Sequence, residues 1–326
     1  MNKEEFLSEL AAGLTNLNEQ ERQRVLDYYR ELICDGVENG KSEETIIHDF
    51  GPLPDIIAQI TSEYGAATAK RPTAPGGQSY EAQGEVGAIF VSAENNPIEI
   101  RQVPSNKVRV LYTPLDIDNI SVSEENGVFT FSQTVKHLTL LWFDLFHMTS
   151  RPIILEIPEA FHGNLTAQTS NSRITADCLH HLSTASLTSS NSRIVVTNSE
   201  FGSLQAKTSN STIELLNCSG QSCSAKTSNS RIHAEGCSFP SQFLLHTSNA
   251  SIHAENAASD NILLKSCNGP INATIVGDSR AYTIHSHTSN SHSNLPSDWS
   301  YPGQVKHLSA ETSNAHIDIK FLPIVG

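Results

Sequence analysis

The chain has 326 residues, of which 38% are hydrophobic and 6% aromatic, and its formal net charge is −14. That length allows two domains, the few aromatics argue against a compact aromatic-cored enzyme, and the acidity argues against nucleic acid and anionic membrane surfaces as partners. The charge is uneven: residues 1–65 hold 14 Asp and Glu against 5 Lys and Arg, and residues 87–326 hold 19 against 14.

The chain opens on "MNKEEFLSEL", charged from the start and without the apolar region of a signal peptide. Asn2 with Glu5 spells a capping box, and Phe6, Leu7, Leu10 and Leu14 share one helical face. Asn18 with Glu21 repeats the device ahead of a stripe of Val25, Leu26, Tyr29, Leu32, Ile33 and Val37, which Gly40 stops. Ser42 caps a third helix containing Ile46, Ile47 and Phe50, and Pro54 stands near the start of a fourth, "PDIIAQI". Residues 1–65 are therefore expected to form a small, acidic helical domain. Residues 66–85, rich in Ala, Pro, Gly and Thr, read as a linker.

From residue 86 to 326 the pattern becomes that of strands. "PIEIRQV", "KVRVLY" and "IILEI" alternate with period two, and Asn126-Gly127 reads as a tight hairpin turn. After Phe161 a longer period takes over, carried by "TSNSRI" and its near-copies. The central residues are Asn171, Asn191, Asn210, Asn229, Asn249, Asn268, Asn290 and Asn314, about 20 apart. Apolar residues recur six and four positions before each Asn and three and five after it. This predicts a parallel β-solenoid whose rungs run strand, corner, strand, with the Asn residues stacked as a structural ladder. The register places Ser286 and Ser293 where other rungs are apolar or small, so the Asn290 rung is expected to be distorted.

Two resemblances accompany this reading. "YYRELICDGVENGKSEETIIHDFGPLPDIIAQI" (Tyr28–Ile60) resembles the HAAS-type signalling domain of bacteria, which implies a helical interaction module often linked with PadR-like transcriptional regulators. The recurring "TSNS-x-I" with alternating strands resembles a bacterial family of candidate-adhesin β-helical domains, over about residues 87–326. Some members of that family imply a helical head joined through a membrane-spanning segment, and here only the linker stands between. No apolar run approaches the ~20 residues of a transmembrane helix.

Candidate sites follow from the outward positions. Lys207, Lys226 and Lys265, with Arg193 and Arg231, form a basic face near the corner that suits an acidic partner. "LTLLWFDLFHM" (Leu138–Met148), with Trp142 and Phe143, reads as a cap over the solenoid or as an exposed patch for a partner. His285, His287, His292 and His316 gather near the C-terminus without an ordered set of Cys or carboxylate partners. Glu235 and Glu255 share an outward position on neighbouring rungs, but the loops and the clustered acids of a β-helix carbohydrate enzyme are missing. The six cysteines lack CxxC spacing, and Cys218 and Cys237 occupy one ladder position.

These readings point to a non-enzymatic interaction or scaffold protein, without a cofactor or metal, of a signalling or envelope-associated system. The helical head would meet a protein such as a PadR-like regulator, and the rod would present a surface. The alternatives are a cell-surface adhesin binding carbohydrate or protein and, less favoured, a carbohydrate-active β-helix enzyme. A cytoplasmic location is expected, with the cell surface or a membrane association as the alternative.

Overall fold

The computed structural model of the chain describes residues 2–15, 17, 22, 25–26, 29–30, 33, 42–58, 60, 77–114, 118–135 and 151–323. Two compact units divide it, Met1–Ala74 and Pro75–Gly326.

In the first unit the capping box closes as its residues dictate. The Glu5 N–H donates to Asn2 Oδ1 at 2.9 Å, and the Asn2 N–H donates to Glu5 Oε2 at 3.1 Å, which starts the helix Lys3–Gly13. Ser42 accepts from the Thr45 N–H at the start of the helix Glu43–Asp49, and residues 53–58 are helical again. Of the predicted second helix, Val25, Leu26, Tyr29 and Ile33 are helical, while its Asn18–Glu21 start lies outside the described residues. Phe6, Leu10, Leu14, Tyr29, Ile33, Ile46, Ile47, Ile56 and Ile60 are buried. The rings of Phe6, Tyr29 and Phe50 pack in a triangle with centroids 5.2 to 5.5 Å apart.

The second unit is a parallel solenoid of two sheets. Strands that lead into each Asn corner form the incoming sheet, and strands that leave it form the outgoing sheet. In the middle of the rod the incoming strands Leu182–Ser189, Glu200–Lys207, Ser219–Lys226 and Gln242–His246 stack in register. The outgoing strands Ile194–Thr197, Ile213–Leu216, Ile232–Glu235 and Ile252–Ala257 do the same. Side chains six and four before the Asn and three and five after it point inward and are buried, as Leu204, Ala206, Ile213 and Leu215 illustrate. Each Ile in this position contributes ~1.5–3 kcal/mol by burial. Small residues at the facing positions let the two sheets close over a thin core.

The N-terminal edge of the solenoid lies inside the stretch read as linker. Gln78–Glu81 is a strand, antiparallel to Arg109–Tyr112, because its backbone completes the outgoing sheet's edge. The Asn126-Gly127 turn joins Asp118–Glu125 to Val128–Val135 as an antiparallel hairpin, with φ of 52° and 75° at the two turn residues. Antiparallel strands therefore finish both sheets at this end. At the other end Asp298–Trp299 pairs antiparallel with Tyr282–Thr288.

Stacking order departs from chain order at both ends. At the start, Ala88–Ala93 and Ile98–Val103 form a rung that lies between Val128–Val135 with Ile153–Pro158 on one side and Asn164–Thr169 with Ile174–Asp177 on the other. At the finish, Lys306–Thr312 lies between Asn261–Lys265 and Tyr282–Thr288. The chain thus builds its last rung before the penultimate one. The expected distortion of the Asn290 rung is confined to its outgoing side. Tyr282–Thr288 pairs over seven residues, whereas Ser293 makes a single bridge to Ile317, since a serine there brings no apolar anchor into the core.

Candidate functional site

Each corner is built by three neighbouring polar residues with separate tasks. The Thr or Ser two before the Asn turns inward and is buried, as Thr208, Thr227 and Thr247 are. Its hydroxyl donates to a carbonyl of the preceding rung: Thr227 Oγ1 to Ser211 O at 3.1 Å, and Thr247 Oγ1 to Ser230 O at 2.9 Å. That satisfies a backbone group the tight corner leaves without a ladder partner. The Ser that follows keeps to the surface. The Asn side chain then stacks along the rod.

The ladder is continuous. From Asn191 to Asn268, each Asn Nδ2 donates to the Oδ1 of the preceding rung at 2.7 or 2.8 Å. Asn314 continues onto Asn268 at 2.7 Å, and Asn290 onto Asn314 at 2.6 Å. At the opposite end Asn171 donates to Asn95 at 2.8 Å, so a ninth residue belongs to the series. Asn95 lacks the Thr and Ser that precede the later corner residues, but its frame is the same. Ile89 and Val91 stand six and four before it, and Ile98 and Ile100 three and five after it, all buried.

A second corner lies seven residues past the Asn, where Cys178, Asn198, Asn217, Gly236 and Asn256 all have φ between 49° and 63°. Asn and Gly tolerate that left-handed backbone, which explains their recurrence there. The next residue turns inward, and Cys218 and Cys237 are buried at this site. Their thiols lie within contact of backbone carbonyls, Cys218 Sγ to Val196 O at 3.4 Å and Cys237 Sγ to Leu215 O at 3.5 Å. They serve the packing of the corner.

The outward rows hold the candidate recognition residues. Three positions before the Asn, the incoming sheet presents Lys207, Lys226, His246 and Lys265 on successive rungs as direct Cα partners. Lys207 and Lys226 are exposed and form no ion pair among the described residues. Lys265 is held by Glu311 at 2.8 Å, which raises the lysine's pKa and lowers the carboxyl's. Partial burial and then the charges of Lys226 and Lys265 push the His246 pKa below its ordinary value. Across the corner, Arg193 and Arg231 are exposed on the outgoing side, and Arg193 approaches Glu214 at 3.8 Å. The basic residues thus flank the Asn edge from both sheets. Trp142 and Phe143 lie outside the described residues.

The remaining candidates separate. His292 and His316 stack at 5.9 Å, and His285 meets Asp298 at 2.8 Å, but among the described residues no three metal-ligating side chains converge. Glu235 and Glu255 are neighbours whose partners are the histidines of their own strands, His233 at 3.8 Å and His253 at 2.5 Å. They form His–Glu pairs at outward positions of neighbouring outgoing strands.

Comparison with known proteins gives two family matches. Residues 86–320 match the family model Toastrack DUF4097, and residues 5–60 match HAAS. No curated protein matches the chain. Among solved structures, a candidate adhesin from Bacteroides fragilis is 10% identical over 76% of this chain and 98% of its own, with a TM-score of 0.38. A candidate adhesin from Parabacteroides distasonis is 11% identical over 76% and 97%, with a TM-score of 0.34. A candidate cell adhesion protein from Clostridium sporogenes is 7% identical over 76% and 100%, with a TM-score of 0.27.

Proposed function

This chain belongs to the Toastrack DUF4097 family, with a HAAS module at residues 5–60, and on that premise we propose that it is a non-enzymatic binding scaffold of a bacterial signalling or envelope-associated system. The acidic head meets a regulator protein of the PadR-like kind, and the rod offers a rigid surface to a second partner. The observation that carries the reading is the basic edge. Lys207 and Lys226 stand side by side, without an ion pair among the described residues, on a protein of net charge −14, with Arg193 and Arg231 across the corner. Like charges directly opposite one another destabilise a sheet, so a counter-charged partner gains what the free protein lacks.

The test is cross-linking and affinity capture with the full chain in its native host, alongside a Lys207→Glu/Lys226→Glu variant. The reading expects a transcriptional regulator cross-linked to residues 1–60 in both proteins, and a second partner lost from the variant alone. Capture of the same set by both, without a regulator, overturns it. The reading also places the protein in the cytoplasm. A surface-displayed adhesin is the second reading, favoured by the same exposed lysines, and cell fractionation separates the two.

A further inference from the structure

The tetrapeptide "IHAE" occurs twice, at Ile232–Glu235 and at Ile252–Glu255, on neighbouring outgoing strands. The strands pair in parallel, with His233 opposite His253 and Glu235 opposite Glu255. The Ile and Ala of each copy are buried, so both imidazoles and both carboxylates rise from the outer face, where all four are partly exposed. On the rungs to either side the same positions hold Glu214 with Leu216 and Asn272 with Thr274. No other rung of the ladder has His four or Glu six residues after its Asn.

The four side chains share one centre. The two rings stack at 5.4 Å with planes 15° apart, and each Nε2 points along its own strand toward the glutamate. Their Cα atoms mark a rectangle of about 4.8 by 6.7 Å, whose middle is about 4 Å from each corner. Donors around a four-coordinate zinc-like ion lie about 2.0–2.2 Å from the metal and hence about 3.3 Å from one another. The two pairs, His253 with Glu255 at 2.5 Å and His233 with Glu235 at 3.8 Å, fall on either side of that value. They lie beside one another, and closing them on the common centre asks only for side-chain rotation at exposed positions.

Charge argues the same way. Glu235 and Glu255 are like charges directly opposite each other, which costs a sheet stability, and neither has a Lys or Arg ion-pair partner among the described residues. A dication between the two rungs neutralises both. Imidazole nitrogens mixed with carboxylate oxygens suit zinc and its transition-metal neighbours, whereas calcium and magnesium take oxygen donors.

We propose that His233, Glu235, His253 and Glu255 form a binding site for one divalent transition-metal ion of the zinc class, clasped across two rungs. The ion takes the place of the hydrogen between His253 Nε2 and Glu255, and each imidazole carries its one hydrogen on Nδ1. It ties the two rungs together on the outer face and stabilises the rod when bound. The site is separate from the basic edge and does not rest on it.

The experiment is calorimetric titration of the full chain with Zn²⁺, with Ca²⁺ and Mg²⁺ as parallel titrants and thermal melting in each. A Cys34→Ser/Cys178→Ser/Cys267→Ser background removes these thiols as competing ligands. One Zn²⁺ per chain is expected in the tightest step, with a rise in melting temperature that Ca²⁺ and Mg²⁺ do not give. His233→Gln/His253→Gln weakens that step by about a hundredfold or more and abolishes the rise, and Glu235→Gln/Glu255→Gln weakens it by about tenfold or more. His292→Gln/His316→Gln, which removes another stacked histidine pair, leaves both unchanged. Unchanged melting without metal verifies the fold of each variant. Absence of Zn²⁺ uptake by the parent, or uptake indifferent to His233→Gln/His253→Gln, overturns the site. Ca²⁺ bound as tightly as Zn²⁺ overturns the class of metal.

Discussion

The Nδ2 of Asn314 donates to the Oδ1 of Asn268 at 2.7 Å across 46 positions of sequence, passing over Asn290, which lies one rung further out. The penultimate rung is thus supplied by the last segment of the chain, and the terminal rung has no neighbour on which to rest until that segment is in place.

A truncation after residue 300 makes this dependence measurable. It removes Lys306–Thr312 and Ile317–Leu322, the strands that flank the outer face of the Asn268 rung. Tyr282–Thr288 then loses its parallel partner, and hydrogen exchange in 282–288 is expected to rise to that of unfolded chain. Exchange in residues 200–246 should stay slow, because solenoid rungs couple mainly to their neighbours. Protection of 282–288 in the truncated chain would contradict the stacking order.

Within the ladder, position sets the cost of losing an amide. Asn229 both donates to Asn210 and accepts from Asn249, whereas Asn290 makes one ladder bond only. Asn229→Ala is expected to lower stability by ~1–2 kcal/mol and Asn290→Ala by about half that, read from urea denaturation. Equal effects would mean that the amides do not act as a chain.

Two glycines differ in what they exclude. A Cβ on Gly220 would lie 1.9 Å from the Phe201 carbonyl oxygen of the rung beneath, a backbone atom that cannot yield. Gly220→Ala is expected to cost ~3 kcal/mol or more and to leave most of the protein insoluble on expression. Gly236 has the same left-handed corner as Asn217, and its Cβ would meet only the Asn217 side-chain oxygen, which can turn aside. Gly236→Asn should therefore fold with a midpoint within ~1 kcal/mol of the parent.

Glu156 carries a pH prediction. Its side chain is 5% exposed and lies between Arg101 at 2.6 Å and Arg109 at 2.5 Å. Burial alone would raise its pKa, but the hydrogen bonds and charges of the two arginines outweigh this and hold it below the ordinary 4.5. A carboxyl depressed in the folded state contributes stability above its unfolded pKa, and that contribution is lost as pH falls through the folded value. Glu156→Gln is expected to cost ~1–3 kcal/mol at pH 7, with the gap to the parent closing below about pH 4. A gap independent of pH would assign the loss to packing.

Thiol labelling tests the second corner. Cys178 and Cys267 are exposed, and Cys218, Cys223 and Cys237 are buried. In a Cys34→Ser background, a maleimide is expected to modify Cys267 first and Cys178 more slowly, since burial and the neighbouring Asp177 raise the Cys178 pKa. The other three should react only in denaturant. Native-state labelling of Cys218 would show that the corner opens.

The hexapeptide makes much of this legible, because its information is local. Thr227, Ser228, Asn229 and Ile232 each act through the turn they occupy, so one repeat discloses the role of its kind. The basic row followed from the same register. Asn95 escaped because "AENNPI" lacks the Ser and Thr of the later corners, although its apolar frame matches them. His246 was a residue in a stripe until its two lysine neighbours stood at rung distance. The period, the inward and outward faces and the corners are written in the residues, since they follow from side-chain alternation and turn chemistry within a single rung. Which rung lies on which emerges only in the folded chain. Every rung offers the same parallel edge to its neighbour, so the repeat is indifferent to order, and the order at each end shows only in the pairings themselves, Ala88–Ala93 beside Val128–Val135 and Lys306–Thr312 beside Asn261–Lys265, with antiparallel strands closing the sheets.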